Sequence, residues 1–447
     1  MPKRPRRLVW TALTAGWGVW LLATLSILLG RGFAHAAEVN GSATEPAPTD
    51  HAEMTNAKVL APVSGIYTEP TTKDLGDLTH LDLLKGIKIR GWIDGYFEGN
   101  FNHPKRSTVN ANQALSVIRS RDLTIEGRVF DVHDQSFSLS LAELETEKVP
   151  DRGGVGAKFD LAFGDTQDII VDTIKAASGQ NSVSDFDRYV QHASISYLAP
   201  LGNGLRLDFG KFVTHIGGET IETIKNINYS HAFFFTYAIP FQDLGLRLHY
   251  EWSEAFYTEF YVLNGWNVTS DNNKAKTFGP SIGWNPSPQF SLTLNYLVGN
   301  EQTDNNRFFD NLRHLIDGQV SLTPLEGLNL SFNVDYGHEA NAIAGSKDAT
   351  WGGVTGWVRY QLTDTLEPAL RAEWYKDTNG FTTGVPQTLV GLTLTLGYKI
   401  GVGNLANILL RPEYRVDISD KAFFTRGADF RATKTQHTLG VGGVFYF

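Results

Sequence analysis

The sequence has no cysteine in its 447 residues. Disulfides and thiolate metal centres are therefore excluded. Its 12 histidines are scattered, and none stands at metal-ligand spacing from a partner. No glycine-rich nucleotide signature occurs in a strand–loop–helix context. His192 and Ser194 would share one strand face, yet no third residue orients the histidine and no nucleophile elbow surrounds the serine. The expectation is a protein that is not an enzyme and carries no cofactor or metal. Charge is sparse at 19% of residues, with a formal net charge of −9. An acidic chain is a poor binder of nucleic acid. Beyond residue 29 no apolar run is long enough for a transmembrane helix. The mature chain is either soluble or crosses a membrane some other way.

Aromatic residues reach 12%, and there are 44 glycines. That mix suits a β-rich protein with many turns. The length fits one large barrel or two ordinary domains.

Residues 1–36 read as an export signal. A basic start, "PKRPRR", precedes an apolar run from Leu8 to Leu29, and "AHA" at 34–36 offers small residues for cleavage. The alternative is an uncleaved anchor, since the run could span a bilayer. The segment holds five basic and no acidic residues, so its removal takes the formal charge from −9 to −14. Residues 37–86 are expected to form a periplasmic linker. It begins with the Pro/Ser/Thr-rich "NGSATEPAPTD". Leucines 75, 78, 81 and 84 are spaced for a short amphipathic helix within it.

From Ile87 the hydrophobic period becomes two. "LNLSFNVDY" sets Leu328, Leu330, Phe332, Val334 and Tyr336 against Asn329, Ser331, Asn333 and Asp335. Alternation over about ten residues marks a half-buried strand. Sixteen such strands are expected, near 87–99, 135–147, 154–165, 189–199, 204–214, 243–253, 255–267, 277–286, 289–300, 311–323, 327–339, 351–363, 365–377, 388–400, 404–418 and 436–447. The second slips in register at "LAELETEKV", as a bulge would make it do. The eighth carries three prolines in "GPSIGWNPSP", which a central strand resists.

Alternation fits a soluble sandwich with apolar rows inside, and equally a membrane barrel with apolar rows outside. Four features favour the barrel. The strands are long enough to cross a bilayer at a tilt. Long and short connections alternate, which puts the long loops on one rim. The strand number is even, so both ends of the barrel domain, 87–447, lie on the short-turn side. Aromatics gather near strand ends: Trp92, Tyr96, Trp252, Trp266, Tyr336, Trp351, Trp374, Tyr414 and Phe445. A sheet in a bilayer leaves no edge unpaired, so it must close. The fold class is thus all-β: a transmembrane antiparallel up-and-down barrel of about 16 strands, with long extracellular loops and short periplasmic turns.

Apolar rows on the lipid side leave charged rows for the lumen. The candidates are Arg90, Asp94, Arg247, Arg371, Glu373, Arg411, Glu413 and Arg415, among others of both signs. Charges of both signs inside a wide barrel imply water there. They also fit pairs across neighbouring strands that keep the wall rigid.

From about Gly91 to Phe447 the chain resembles the β-barrel porins of the OmpL-like, porin-2 group of Gram-negative outer membranes. The segments that carry the resemblance are "LDFGKFVTHIGGETIETIKNINYSHAFFF", "IPFQDLGLRLHYEW", "VLNGWNVTSDNNKAKTFG", "LRAEWYKDTNG" and "LRPEYRVDIS". The resemblance implies an outer-membrane location and passive diffusion of small solutes or ions. A structural or adhesive barrel without an open channel is the alternative. It implies that Phe445 and Phe447 belong to an assembly signal read by the barrel assembly machinery. Sixteen-stranded porins are usually homotrimers. In general porins the loop at the place of 215–242 folds inward, so Glu219, Glu222 and Lys225 would face the basic wall of Arg371, Arg411 and Arg415. A lid over the outer mouth, or a contact with a neighbouring subunit, are the other roles open to this loop.

Overall fold

The computed structural model describes residues 73–79, 81, 84–104, 125–178, 183–302, 311–345, 347–402, 406–429 and 431–447. The expected export signal and the "NGSATEPAPTD" stretch lie outside the described residues.

Sixteen antiparallel strands form one closed sheet. The first eight are β1 (Lys88–Asn100), β2 (Ser136–Lys148), β3 (Val155–Phe163), β4 (Val190–Ala199), β5 (Leu205–Val213), β6 (Gln242–Ser253), β7 (Phe256–Leu263) and β8 (Thr277–Ser287). The others are β9 (Phe290–Asn300), β10 (Leu312–Leu325), β11 (Leu328–Ile343), β12 (Lys347–Tyr360), β13 (Leu366–Asp377), β14 (Gln387–Val402), β15 (Ala406–Ser419) and β16 (Thr435–Tyr446). Each pairs with its neighbours in sequence, and β16 pairs with β1 from Thr438↔Asn100 to Tyr446↔Trp92. Closure leaves no free strand edge, as a bilayer requires.

The alternation decides the two faces. Ile93, Leu294, Ile316, Val334, Leu392, Leu394 and Leu439 stand exposed on the outer wall. Asp94, Asn295, Asp317, Asp335, Thr393, Thr395 and Thr438 are buried on the inner wall. Apolar side chains out and polar ones in is the arrangement of a membrane barrel. Among the described residues no helix is long and apolar enough to cross a membrane.

Several local features depart from strict alternation, each for a physical reason. In β2 the register against β1 shifts between Asp94 and Gly95, so Ser140 and Leu141 both turn inward. This bulge places Glu143 and Glu145 on the inner wall. In β8, Pro280 lies opposite Phe260 of β7. The ladder to β9 runs through Asn295↔Ser281 and resumes at Val298↔Phe278. The gap falls where proline has no N–H to give. β7 ends at Leu263, short of the expected boundary near 267, and the chain reverses at Asn267 with φ 56°. β11 and β12 run longer than expected, pairing as far as Ile343↔Lys347, so a short turn replaces a long loop between them.

The aromatic distribution corrects the girdle expectation. Trp252, Tyr336, Trp374, Tyr414 and Phe445 are exposed on the outer wall. Trp92, Tyr96 and Trp351 instead point inward and are buried. Trp266 lies in the loop after β7, edge-on to Trp351 at 6.3 Å. Position near a strand end does not fix the face; parity along the strand does.

Before β1, Lys73 and Asp74 pair with Ile89 and Lys88. The expected helix spans Leu75–Thr79, and Leu81 lies beyond it. Asp74 closes this turn by accepting from the Gly76 N–H at 2.8 Å and the Gly86 N–H at 2.9 Å.

Candidate functional site

The segment between β5 and β6, residues 214–241, folds into the barrel. It contains a 3-10 turn at Thr223–Lys225 and a short helix at Phe233–Tyr237. Ile221, Ile224, Tyr229, Phe233, Phe234 and Phe235 are all buried. A solvated loop has no reason to carry so many apolar side chains. Most of them meet Phe130, Ile169 and Ile170 from the other long loops, and Trp351 and Tyr375 from the wall. The interior is therefore partly a packed apolar core rather than an aqueous space throughout, and the loop expected to fold inward supplies much of that core.

Polar anchors hold this segment against β13, β14 and β15. Arg371 on β13 donates to Glu219 at 2.8 Å, to the Ser230 carbonyl, and to Thr393 at 3.1 Å. Glu373 accepts the Phe233 N–H at 2.5 Å. Glu413 accepts the N–H groups of Tyr229 at 2.8 Å and Ser230 at 3.1 Å. Arg415 donates to the His231 carbonyl at 2.6 Å and pairs with Asp417 at 2.7 Å. Arg411 donates to the carbonyls of Thr223 at 2.5 Å and Asn226 at 2.6 Å. Arg371, Glu373 and Arg415 are almost wholly buried. A buried charge must be paired and hydrogen-bonded, and the loop backbone supplies much of that.

The three loop candidates separate. Glu219 meets the basic wall at Arg371. Glu222 and Lys225 reach β4 and β2 instead. Glu222 accepts from Gln191 on β4 at 2.8 Å. Lys225 lies 3.6 Å from Glu145 and 3.6 Å from Glu222, with its ammonium over the Trp92 ring. Burial opposes the charge on Lys225, but Glu222 and Glu145 outweigh it and hold the ammonium above its usual range. The loop thus bridges β13–β15 and the strands β2 and β4 inside the barrel. The charge of a loop side chain does not reveal which strands it meets, so the expected placement beside Arg371, Arg411 and Arg415 fails for the side chains of Glu222 and Lys225, although Arg411 binds the neighbouring carbonyls of Thr223 and Asn226.

The remaining wall candidates take these places. Arg90 pairs with Glu145 and lies 3.4 Å from Glu147. Arg247 pairs with Asp208 at 2.7 Å. Asp94 accepts from the Tyr229 hydroxyl at 2.9 Å and the Thr223 hydroxyl at 2.5 Å. Phe445 is exposed on the outer wall. Phe447 follows β16, exchanges backbone hydrogen bonds with Gly91 at 3.0 and 3.3 Å, and lies 5.8 Å from the Lys73 ammonium. His192 and Ser194 are 2.8 Å apart, but among the described residues the other ring nitrogen of His192 has no partner to orient it.

Sequence reasoning missed two groups. Glu143 and Glu145 were hidden by the β2 bulge. Arg128, from the first long loop, enters the barrel and binds Glu98, Asp131 and Asp417 at 2.6–3.0 Å. A lone arginine in an irregular segment gives no signal of such an insertion.

A closed sixteen-stranded barrel, apolar outside, polar inside and crossed by one inner loop, defines a membrane channel protein of the porin class. Residues 86–447 match the family described as Putative beta-barrel porin-2, OmpL-like, and the chain belongs to that family of outer-membrane porins. A search of curated proteins finds no match. Among solved structures, the chain is similar to an anion-selective porin from Comamonas acidovorans, with 12% identity and a TM-score of 0.49 over 81% of this chain and 99% of that one. It is similar to the outer membrane channel DcaP of Acinetobacter baumannii, with 9% identity and a TM-score of 0.49 over 81% and 97%. Salmonella typhi OmpF gives 10% identity and a TM-score of 0.48 over 81% and 97%.

Proposed function

We propose that small hydrophilic solutes and ions cross the outer membrane by passive diffusion through the watered part of this barrel, narrowed by the loop between β5 and β6. The observation that carries this reading is the span of that loop. It meets Gln191 and Glu145 on one side and Arg371, Glu413 and Arg415 on the other. Charged groups at a narrow point orient and filter solutes. No reaction or energy coupling is involved.

The same reading includes export through a signal cleaved after Ala36, a periplasmic segment 37–86, and short turns on the periplasmic side of a Gram-negative outer membrane. It also includes insertion by the barrel assembly machinery, with Phe445 and Phe447 in the signal, and association as a homotrimer. Its support is the basic–apolar–small pattern of the first 36 residues, the alternation of turn lengths and the aromatic final strand.

Deletion of residues 219–230 tests the constriction. The purified barrel, reconstituted in a planar bilayer, should show stepwise conductance, and the deletion should enlarge each step. An unchanged single-channel current would overturn the constricting role. A silent wild-type protein would point to a structural or adhesive barrel instead.

A further inference from the structure

Beside the loop contact on β2 and β3 lies a group of carboxylates that its cations do not balance. Glu143, Glu145 and Asp160 are buried, and each offers an oxygen within 4.8 Å of the others. Glu147 and Glu222 adjoin them through shared cations, which makes five carboxylates. Among the described residues, the cations in contact with this group are three: Arg90, Lys158 and Lys225. All three converge on Glu145, and Lys158 also lies 3.4 Å from Oδ2 of Asp160. Among the described residues, no ion pair reaches Glu143, whose partner is the amide of Gln191 at 3.2–3.3 Å.

A second observation is independent of the charge count. Asp160 is 1% exposed, and among the described residues its Oδ1 has no hydrogen-bond partner. Gln191 is fully buried with its amide against Glu143, and its Oε1 has no partner among the described residues either. Oxygens buried without a donor are costly, and orphaned ones beside an unpaired carboxylate mark a place for a cation.

We propose that Glu143, Glu145 and Asp160 bind one divalent cation of the hard, oxygen-preferring kind, Ca²⁺ being the best fit. One such ion supplies the two positive charges that the group lacks. Ca²⁺ holds oxygens at about 2.3–2.6 Å, so ligands on opposite sides stand roughly 5 Å apart. The oxygens of these three residues already lie within that spacing. The donor set has neither sulfur nor imidazole, which suits Ca²⁺ over softer metals.

The test uses the full barrel in detergent, stripped with a chelator, desalted and titrated with CaCl₂ by calorimetry. Wild type should bind one Ca²⁺ per chain and unfold at higher temperature when loaded. E143Q/D160N removes the two carboxylates that cause the excess and should lose that site, while its heat-dependent gel mobility reports a folded barrel. E326Q/D364N, changed in exposed short turns, should bind as wild type does. No stoichiometric binding by wild type would overturn the proposal and mean that protons neutralise Glu143 and Asp160. Binding that survives E143Q/D160N would overturn it too. None of these readings depends on whether the channel conducts.

Discussion

Tyr229 lies against Gly442 so closely that a methyl group added to the glycine would overlap the tyrosine ring. The same tyrosine donates its hydroxyl to Asp94 at 2.9 Å. Gly442 is on β16 and Asp94 on β1, the two strands that close the barrel. The crossing loop is therefore fastened over the seam, at a spot where only glycine leaves room for an aromatic ring.

Gly442→Val should push Tyr229 away and break its bond to Asp94. Losing a buried hydrogen bond of this kind costs about 1–3 kcal/mol. The barrel should still form, since the pairing of Gly442 with Tyr96 and Arg411 in the sheet uses backbone groups alone. Single-channel recordings should show a larger or noisier current. A current identical to wild type would mean that the loop stays docked without this contact.

Arg371 offers a sharper energetic test. Arg371→Met leaves Glu219 buried without its cation and Glu373 with Arg415 alone. Breaking a buried pair in this way costs roughly 3–5 kcal/mol. Adding E219Q should recover part of the loss, and a double-mutant cycle measured by denaturant unfolding gives the coupling. Additive effects would show that the pair contributes nothing beyond its separate members.

Two loop histidines give the docked state a pH dependence. Burial lowers the pKa of His231, which sits among Glu219, Asp131 and Arg371, with Phe130 and Phe235 on its ring. Burial likewise lowers His215 to about 4, beside Glu259, Arg247 and the stacked Tyr261 ring. A histidine with a depressed pKa takes up its proton more readily once released. Docking is therefore fully stable above the ordinary value of 6.5 and weakens as pH falls below it toward 4. Current noise should rise over that window, and H231Q should blunt the change. A flat profile in wild type would contradict this.

Deletion of Phe447 should act on assembly more than on conduction. The residue adds one backbone pair with Gly91 at the seam and covers that glycine with its ring. The amount of barrel in the outer membrane should fall several-fold relative to total protein, while each inserted channel keeps its conductance. Equal insertion with altered conductance would reverse the assignment.

The wall of the barrel was readable because alternation is a local property. In "GLTLTLGYKI" each residue's parity gives its face, and Leu392, Leu394 and Leu396 are indeed exposed while Thr393 and Thr395 are buried. The same rule failed in β2, where one bulged residue reversed the parity and hid Glu143 and Glu145. It also could not separate Trp351, which packs inside, from Trp374, which faces out, by their nearness to strand ends. The loop was harder still. Its apolar content signalled burial, but not that Glu219 would meet Arg371 while Lys225 met Glu145.

The sequence by itself determined the period, the strand number and the polarity of the two faces, because each follows from side-chain chemistry repeated every second residue. Only the tertiary structure decided what fills the barrel. The partners of Arg371, Tyr229 and Glu143 come from segments distant in the chain, and their meeting depends on closure of the sheet and on the path of a loop that no local pattern encodes. The terminal "GVGGVFYF" belongs to both levels: its alternation marks a strand, and its glycine at 442 has a purpose only once Tyr229 arrives from across the lumen.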